Sequence, residues 1–208
     1  IDSALDSAYA HGETDEFIKP TVITGDVPIT PQDGFLFGNY RSDRARQIVR
    51  AILTTGAHML CFSQYGEGLD ELCPALLPDV ETHDTLGDVL AAYHLRQLRI
   101  AETEKYNHVT YFFDAERNVD YADEEKVLIP SPDVATFDLA PEMSAVKITD
   151  ALLDKLADFD VVILNYANGD MVGHTGKEPA TIAAMEVLDA QLARLVPAVL
   201  ALNGTVLI

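Results

Sequence analysis

Two residue types that bind transition metals stand four positions apart in the segment Asn165–Gly176, which reads NYANGDMVGHTG. Asp170 offers a carboxylate oxygen and His174 offers an imidazole nitrogen, a donor pair that suits Mn²⁺ or Zn²⁺. Three glycines in the same segment would let the backbone bend tightly around an ion. Two ligands do not complete a coordination sphere, so other parts of the chain must contribute. Without them, the pair is an ordinary loop aspartate and a surface histidine.

Two arginines stand three positions apart in the segment NYRSDRAR at residues 39–46. The spacing predicts that Arg41 and Arg44 share one face at the start of a helix. Two guanidinium groups beside a helix N-terminus form a clamp for a phosphate or a carboxylate. An equally open alternative is that both arginines pair with surplus aspartates and glutamates elsewhere in the chain.

A lysine follows two glutamates in the segment AETEKY at residues 101–106. Lys105 could neutralise the charge of a transferring phosphoryl group. The alternative is a solvated lysine that pairs with Glu102 or Glu104. Four further histidines have no ligand partner at a diagnostic spacing, and we expect a core or strand position for the first and surface positions for the others: His58, His83, His94 and His108.

The composition excludes several classes of partner. The chain has 208 residues, of which 34 are acidic and 14 are basic, so its formal charge is −20. Such a surface repels nucleic-acid phosphates and anionic membrane surfaces. No stretch reaches the roughly 18 apolar residues that a membrane-spanning helix needs. Cys61 and Cys73 make neither a disulfide framework nor a zinc motif, so we expect two packing residues and a cytoplasmic setting.

The elements that must position these residues alternate between short apolar strands and longer helical patterns, which predicts an α/β fold. Strand-like runs lie at residues 35–40, 58–64, 98–101, 127–129 and 161–164, and helical spacing covers 41–53, 85–93, 144–156 and 178–202. Thr205–Ile208 reads as the start of another strand. Ligands in such sheets lie beyond the carboxyl ends of the strands, where Asp170 would stand.

These segments together resemble the cofactor-independent (2,3-bisphosphoglycerate-independent) phosphoglycerate mutases. The matching stretches follow the family order and cover nearly the whole chain: TDEFIKPTVI at 14–23, NYRSDRAR at 39–46, AETEKY at 101–106, LIPSP at 128–132, PEMS at 141–144 and NYANGDMVGHTG at 165–176. Any one stretch is a weak signal, but the ordered set is specific. Since the chain begins without Met and stops within an apparent strand, we expect an internal fragment.

The resemblance implies a two-domain enzyme. Residues 1–79 resemble the C-terminal part of an inserted phosphotransferase domain that binds the substrate. Residues 80–208 resemble part of a metal-binding domain of the alkaline-phosphatase type. The predicted fold is therefore α/β, with a partial alkaline-phosphatase-like three-layer domain preceded by the end of an inserted α/β transferase domain.

The resemblance also implies a function: interconversion of 3-phosphoglycerate and 2-phosphoglycerate in glycolysis and gluconeogenesis. The reaction would pass through a phosphoserine at a site with two Mn²⁺ ions, without 2,3-bisphosphoglycerate, in a cytoplasmic monomer. Asp170 and His174 fall on ligands of one metal. Arg41 and Arg44 fall on the substrate-binding arginines, and Lys105 falls on the catalytic lysine near the transferring phosphoryl group.

The chain departs from the family pattern at several points. Gly169 stands where many relatives have Pro, and Gly38 where many have Asn. The family's serine and an early metal-binding Asp would lie upstream, and an Asp-His pair with a further His downstream. We therefore expect that the fragment alone neither isomerises phosphoglycerate nor holds two metals tightly. Alternatives are another phosphomutase or phosphohydrolase of the alkaline phosphatase superfamily, and a non-catalytic acidic remnant or binding module.

Overall fold

The computed structural model describes residues 1–42, 44–66, 68–77, 80 and 82–208. The chain divides into two compact units, Ile1–Glu81 and Thr82–Ile208. Asp79, which borders the predicted domain boundary, and Asp43 of the arginine motif lie outside the described residues. The assignment of residues 1–79 and 80–208 to two functional domains stays a prediction.

The first unit contains a parallel strand pair joined by a helix. Its elements are α1 (Asp2–Ala10), β1 (Gly34–Phe37), α2 (Ala45–Leu53) and β2 (His58–Cys61). Strands β1 and β2 pair in parallel, and α2 makes the crossover that parallel strands need. The buried core joins α2, β2 and the segment after β2: Ala45, Val49, Met59, Cys61, Tyr65, Leu69 and Cys73. The two cysteines are free, buried thiols with their Sγ atoms 3.6 Å apart, which confirms that they are packing residues.

The second unit is built around a three-stranded parallel sheet. Its elements are α3 (Leu86–Ala92), β3 (Gln97–Glu102), α4 (Tyr106–Val109), β4 (Glu124–Ile129), α5 (Ala145–Leu153), β5 (Val161–Asn165), α6 (Asn168–Gly173) and α7 (Glu178–Ala201). The strand order is β4-β3-β5, so β3 is central. Glu102 pairs with Ile129, and Ala101 pairs with Asn165, so the carboxyl ends of all three strands lie at one edge.

The two faces of this sheet have different chemistry. Leu98 and Ile100 point to one face and pack against Ile148 and Leu152 of α5 and Leu195 of α7. The opposite face carries Gln97 and Arg99, whose side chains hydrogen-bond to Gly87 O of α3 and Val109 O of α4. Helices therefore cover both faces, in the layered arrangement that the predicted strands required.

Arg99 is the centre of a buried polar network on the second face. Its side chain is fully buried, and Nη2 donates to Gln97 Oε1 at 2.8 Å. Nη2 also lies 3.4 Å from Asp114 Oδ1, and Nε lies 3.2 Å from Glu124 Oε1. The guanidinium stacks over the Phe113 ring, 4.5 Å from its centroid. This network fixes the amino-terminal half of β3, the strand that leads to Lys105.

The helix that was predicted to begin at Arg41 begins at Ala45 instead. Arg41 and Arg44 are both exposed, whereas Ala45 and Val49 are fully buried. The helix starts where its apolar face meets the core, and Arg44 is its N-cap residue. The prediction that the two arginines share a helical face is therefore wrong.

Two expectations near the carboxyl end of the chain also differ from the structure. Thr205–Ile208 forms no strand, and Leu207 is almost fully exposed. A strand needs a neighbour to pair its backbone groups, and none of the described residues pairs with this segment. Gly169 and Gly173 lie within α6, and Gly176 alone of the three has a left-handed φ, +67°. The segment after β5 thus contains a short helix, whereas the glycines were expected to let a loop bend tightly around an ion.

None of the described helices is both long enough and apolar enough to cross a membrane.

Candidate functional site

Lys105 and Asp170 meet at the carboxyl edge of the sheet in the second unit. A 3₁₀ turn, Thr103–Lys105, directly follows β3, and α6 follows β5 after a short connection. Because β3 and β5 are parallel neighbours, the segments after them emerge side by side. Lys105 Nζ donates a hydrogen bond to Asp170 Oδ2. Lys105 therefore pairs with a residue 65 positions away rather than with the adjacent glutamates of the alternative interpretation.

His174 completes this cluster from the end of α6. Its Nε2 lies 3.3 Å from Asp170 Oδ1, across one helical turn. The Asp170 and His174 side chains are 51% and 66% exposed, whereas Lys105 is only 12% exposed. The hydrogen bond from Lys105 lowers the pKa of Asp170, and the nearby positive charges lower it further against the opposing effect of burial. Asp170 is thus held as a carboxylate with one oxygen facing His174.

The cluster fits part of a transition-metal site. A carboxylate oxygen and an imidazole nitrogen that approach each other this closely can bind one ion, and both are open to solvent. The Lys105 ammonium already places a positive charge against the other Asp170 oxygen. Among the described residues, no three acidic, histidine or cysteine side chains are grouped closely enough to hold a metal. Asp170 and His174 therefore offer two metal donors, and their role as ligands stays a prediction.

His108 is a neighbour of this cluster that the sequence interpretation placed at the surface without a role. It lies in α4, three residues after Lys105, and its ring contacts Phe112 at 5.4 Å between centroids. Its charge contributes to the lowered pKa of Asp170. The signal that could have identified it is its i+3 spacing from Lys105 across a turn that continues directly into a helix.

Two buried polar side chains lie behind the cluster and were also missed. Glu102, the last residue of β3, and Asn168, the first residue of α6, are both fully buried. Burial raises the pKa of Glu102, and nearby hydrogen-bond donors oppose that effect. The sequence interpretation considered Glu102 only as a partner for a solvated Lys105, because the local sequence gives no sign that both sheet faces are covered at this position.

Arg41 and Arg44 belong to the first unit. The backbone N–H of Arg41 donates to Asn39 Oδ1 at 3.1 Å, which stabilises the turn that precedes α2. Nearby, the Tyr65 hydroxyl donates to Asn39 O, and Arg46 Nε donates to Tyr65 O at 2.8 Å. Both predicted arginine side chains are exposed, at the carboxyl end of β1, where anions commonly bind in parallel α/β units.

Two protein-family models match the chain. The metalloenzyme superfamily matches residues 39–208. The N-terminal region of the BPG-independent phosphoglycerate mutases matches residues 1–70.

Curated relatives match nearly the whole chain. It is 45% identical to a 2,3-bisphosphoglycerate-independent phosphoglycerate mutase of Halobacterium salinarum, over 95% of this chain and 42% of the relative. It is 45% identical to the same kind of mutase from Desulforudis audaxviator, over 99% of this chain and 43% of the relative. The chain thus spans less than half the length of these relatives. A solved Leishmania mexicana phosphoglycerate mutase, crystallised at low cobalt concentration, matches with a TM-score of 0.63 and 33% identity, covering 72% of this chain and 28% of that one.

Proposed function

Since the chain belongs to the metalloenzyme superfamily, we propose that it is part of a 2,3-bisphosphoglycerate-independent phosphoglycerate mutase. The longer protein would interconvert 3-phosphoglycerate and 2-phosphoglycerate. The observation that carries the proposal is the contact between Lys105, Asp170 and His174 at the ligand side of a parallel sheet. This cluster combines a cation for a phosphoryl group with two ligands for a metal.

Asp170 and His174 would hold one of two Mn²⁺ ions. A divalent ion there would supply a Lewis acid and positive charge opposite the phosphoryl oxygens. The resemblance puts the serine nucleophile and the remaining ligands outside these 208 residues. The identity of the ion as Mn²⁺ rests on the oxygen and nitrogen donors and on the resemblance.

Lys105 would place a fixed positive charge beside the transferring phosphoryl group. Its ammonium is largely shielded from water, at 12% exposure, so its charge is screened less than that of a surface lysine. A preorganised cation of this kind acts where negative charge develops and needs no reorganisation during the reaction. Its hydrogen bond to Asp170 holds the side chain at the strand edge.

Arg41 and Arg44 would bind the phosphate or the carboxylate of the phosphoglycerate. Their planar guanidinium groups match such anions with two parallel hydrogen bonds. Residues 1–79 would accordingly form the end of the substrate-binding domain, and residues 80–208 part of the metal-binding domain. The longer protein would act as a monomer in the cytoplasm, in glycolysis and gluconeogenesis, without 2,3-bisphosphoglycerate as cofactor.

The test uses the longer protein and a coupled assay that converts 2-phosphoglycerate to phosphoenolpyruvate. We expect turnover of 3-phosphoglycerate with Mn²⁺, and a loss of roughly 100- to 1,000-fold in kcat for Lys105→Gln. Lys155→Gln is the matched control, because Lys155 is a half-exposed lysine paired with Glu125 at the surface. Asp170→Asn should weaken Mn²⁺ binding and reduce turnover at limiting metal.

Two results would contradict this function. A wild-type protein that turns over ribose 1-phosphate but no phosphoglycerate would indicate another phosphomutase of the superfamily. A wild-type protein that binds Mn²⁺ but turns over no phosphate ester would indicate a non-catalytic remnant.

A further inference from the structure

Glu102 connects three segments around the candidate site. Its Oε1 accepts a hydrogen bond from the backbone N–H of Ser144 at 3.3 Å. The hydroxyl of Ser131 and the backbone N–H of Ala167 oppose the rise that burial causes in the pKa of Glu102. Ser131 follows β4, Ser144 precedes α5, and Ala167 precedes α6. One fully buried carboxylate at the end of the central strand therefore holds the segment that precedes α5 and lies near the segments after both neighbouring strands.

Asn168 holds the same region from the other side. It is fully buried at the start of α6, and its Nδ2 donates to Pro141 O at 2.9 Å. Pro141 and Ser144 belong to one turn, residues 141–144. Glu102 of β3 and Asn168 of α6 thus bind the two ends of this turn.

Both side chains keep one oxygen without a hydrogen bond. Glu102 Oε2 and Asn168 Oδ1 are buried and have no partner with hydrogen-bond geometry in the part of the chain that the structure describes. An unsatisfied buried acceptor destabilises a fold. Apolar side chains would fill the same space without that penalty, so the polar groups add orientation rather than stability.

We propose that Glu102 is a positioning residue that sets the relative placement of Lys105 and Asp170. Lys105 stands three residues after Glu102, and Asp170 stands three residues after Ala167, so both connections are too short to absorb a displacement. Glu102 acts through Ser144 and the turn at residues 141–144, whose other end is bound by Asn168, two residues before Asp170. Its importance for catalysis rests on the proposed mutase function, whereas the positioning itself does not.

The experiment compares Glu102→Gln with Glu104→Gln in the longer protein. Glutamine keeps the volume of Glu102 but replaces one acceptor oxygen with an NH₂ group among N–H and O–H donors. Glu104 is exposed and two residues away, which makes it the matched control. Lysine acylation by an amine-selective reagent is followed by mass spectrometry in the absence of metal. Lys126, which is 22% exposed and paired with Asp120 and Glu124, is the internal reference.

We expect Lys105 to be acylated severalfold faster in Glu102→Gln, with Lys126 unchanged and no effect in Glu104→Gln. Mn²⁺ affinity, measured by calorimetry, should fall about 10- to 100-fold, as when groups that orient metal ligands are removed. Equal labelling of Lys105 in wild type and Glu102→Gln would overturn the proposal. A parallel rise in the labelling of Lys126 would also overturn it, because it would show that the substitution loosens the whole unit rather than the placement of Lys105.

The labelling result also separates this proposal from the mutase function. Faster labelling of Lys105 in a protein without mutase turnover would retain the positioning role and reject the function. Should Glu102→Gln not fold, Glu102→Asp keeps the charge, shortens the side chain by one methylene and is judged by the same labelling ratio.

Discussion

Replacing Arg99 with Met should destabilise the second unit far more than breaking a shorter ion pair at its surface. Arg99 is fully buried, and its removal leaves the carboxylates of Asp114 and Glu124 in the interior without their main counter-charge. Breaking one side of a buried ion pair costs about 3–5 kcal/mol. Lys126 remains 3.2 Å from Glu124, so we expect the lower end of that range.

The control is Arg194→Met on α7. Arg194 lies only 2.6 Å from Asp150, but the two side chains are 41% and 57% exposed. Exposed pairs contribute about 0.2–1 kcal/mol because water already solvates both charges. The structure therefore predicts that the pair with the shorter distance is the weaker one.

Native-state hydrogen exchange of the β3 amides measures this difference. A loss of about 3 kcal/mol lowers protection roughly 100-fold, since every 1.4 kcal/mol is tenfold. Arg194→Met should change the protection less than about fivefold, the equivalent of about 1 kcal/mol. Adding Asp114→Asn to Arg99→Met should restore part of the protection, because one uncompensated charge is removed. Equal effects of the two arginine variants would refute the reasoning that burial decides the outcome.

Three further outcomes can be checked by unfolding and thiol assays. Asp88→Asn should lower the free energy of unfolding by about 2 kcal/mol at pH 7, because Asp88 accepts hydrogen bonds from Arg117, Tyr121 and the capping residue Thr85. These bonds outweigh the effect of burial and lower the pKa of Asp88. The difference in unfolding free energy between variant and wild type should therefore persist above about pH 4 and shrink as pH falls further. A difference that does not change with pH would contradict this prediction. Gly169→Ala should stabilise α6 by about 0.5–1 kcal/mol, because alanine loses less backbone entropy than glycine in a helix. The new Cβ fits, since it would meet Met185 Sδ at an ordinary 3.5 Å. Urea unfolding that shows a destabilised variant would disprove this. Burial and the Cys73 thiol raise the pKa of Cys61 to about 12. Cys61 should therefore react with a disulfide reagent at pH 8 far more slowly than a model thiol does. Reaction at the rate of the model thiol would show that Cys61 is exposed.

Much of the fold follows from local pattern. The strands near 98–101, 127–129 and 161–164 and the long helix near 178–202 are confirmed within a few residues, because each has a distinct apolar period. The prediction of an α/β, alkaline-phosphatase-type fold is confirmed by the superfamily match and the structural relative. The resemblance to the cofactor-independent mutases is confirmed by the curated relatives.

What failed depends on partners that are distant in sequence. Nothing near Lys105 indicates that its counter-ion is Asp170 rather than Glu102, because that choice depends on β3 and β5 being neighbours. Thr205–Ile208 has the composition of a strand but lacks a pairing strand among the described residues.

The buried polar residues were missed for a related reason. Gln97 and Arg99 alternate with Leu98 and Ile100 in β3, a pattern that normally marks a solvent-facing side. The face that carries Gln97 and Arg99 is in fact covered by residues from α3 to Phe113, where both side chains find partners, while Glu102 is bonded to Ser144 beside α5.

The central position of β3 has a consequence for how the chain folds as it is synthesised. Gln97 pairs with Val161, which the ribosome adds 64 residues later. At roughly 5–20 residues per second, β3 would wait on the order of 3–13 s for this neighbour. Throughout that interval one of its edges is open to other nascent chains. The positive charge of Arg99 in the middle of the strand opposes such association, because stacking copies would place like charges together. The residue that fixes the strand in the finished sheet would thus also protect it during translation.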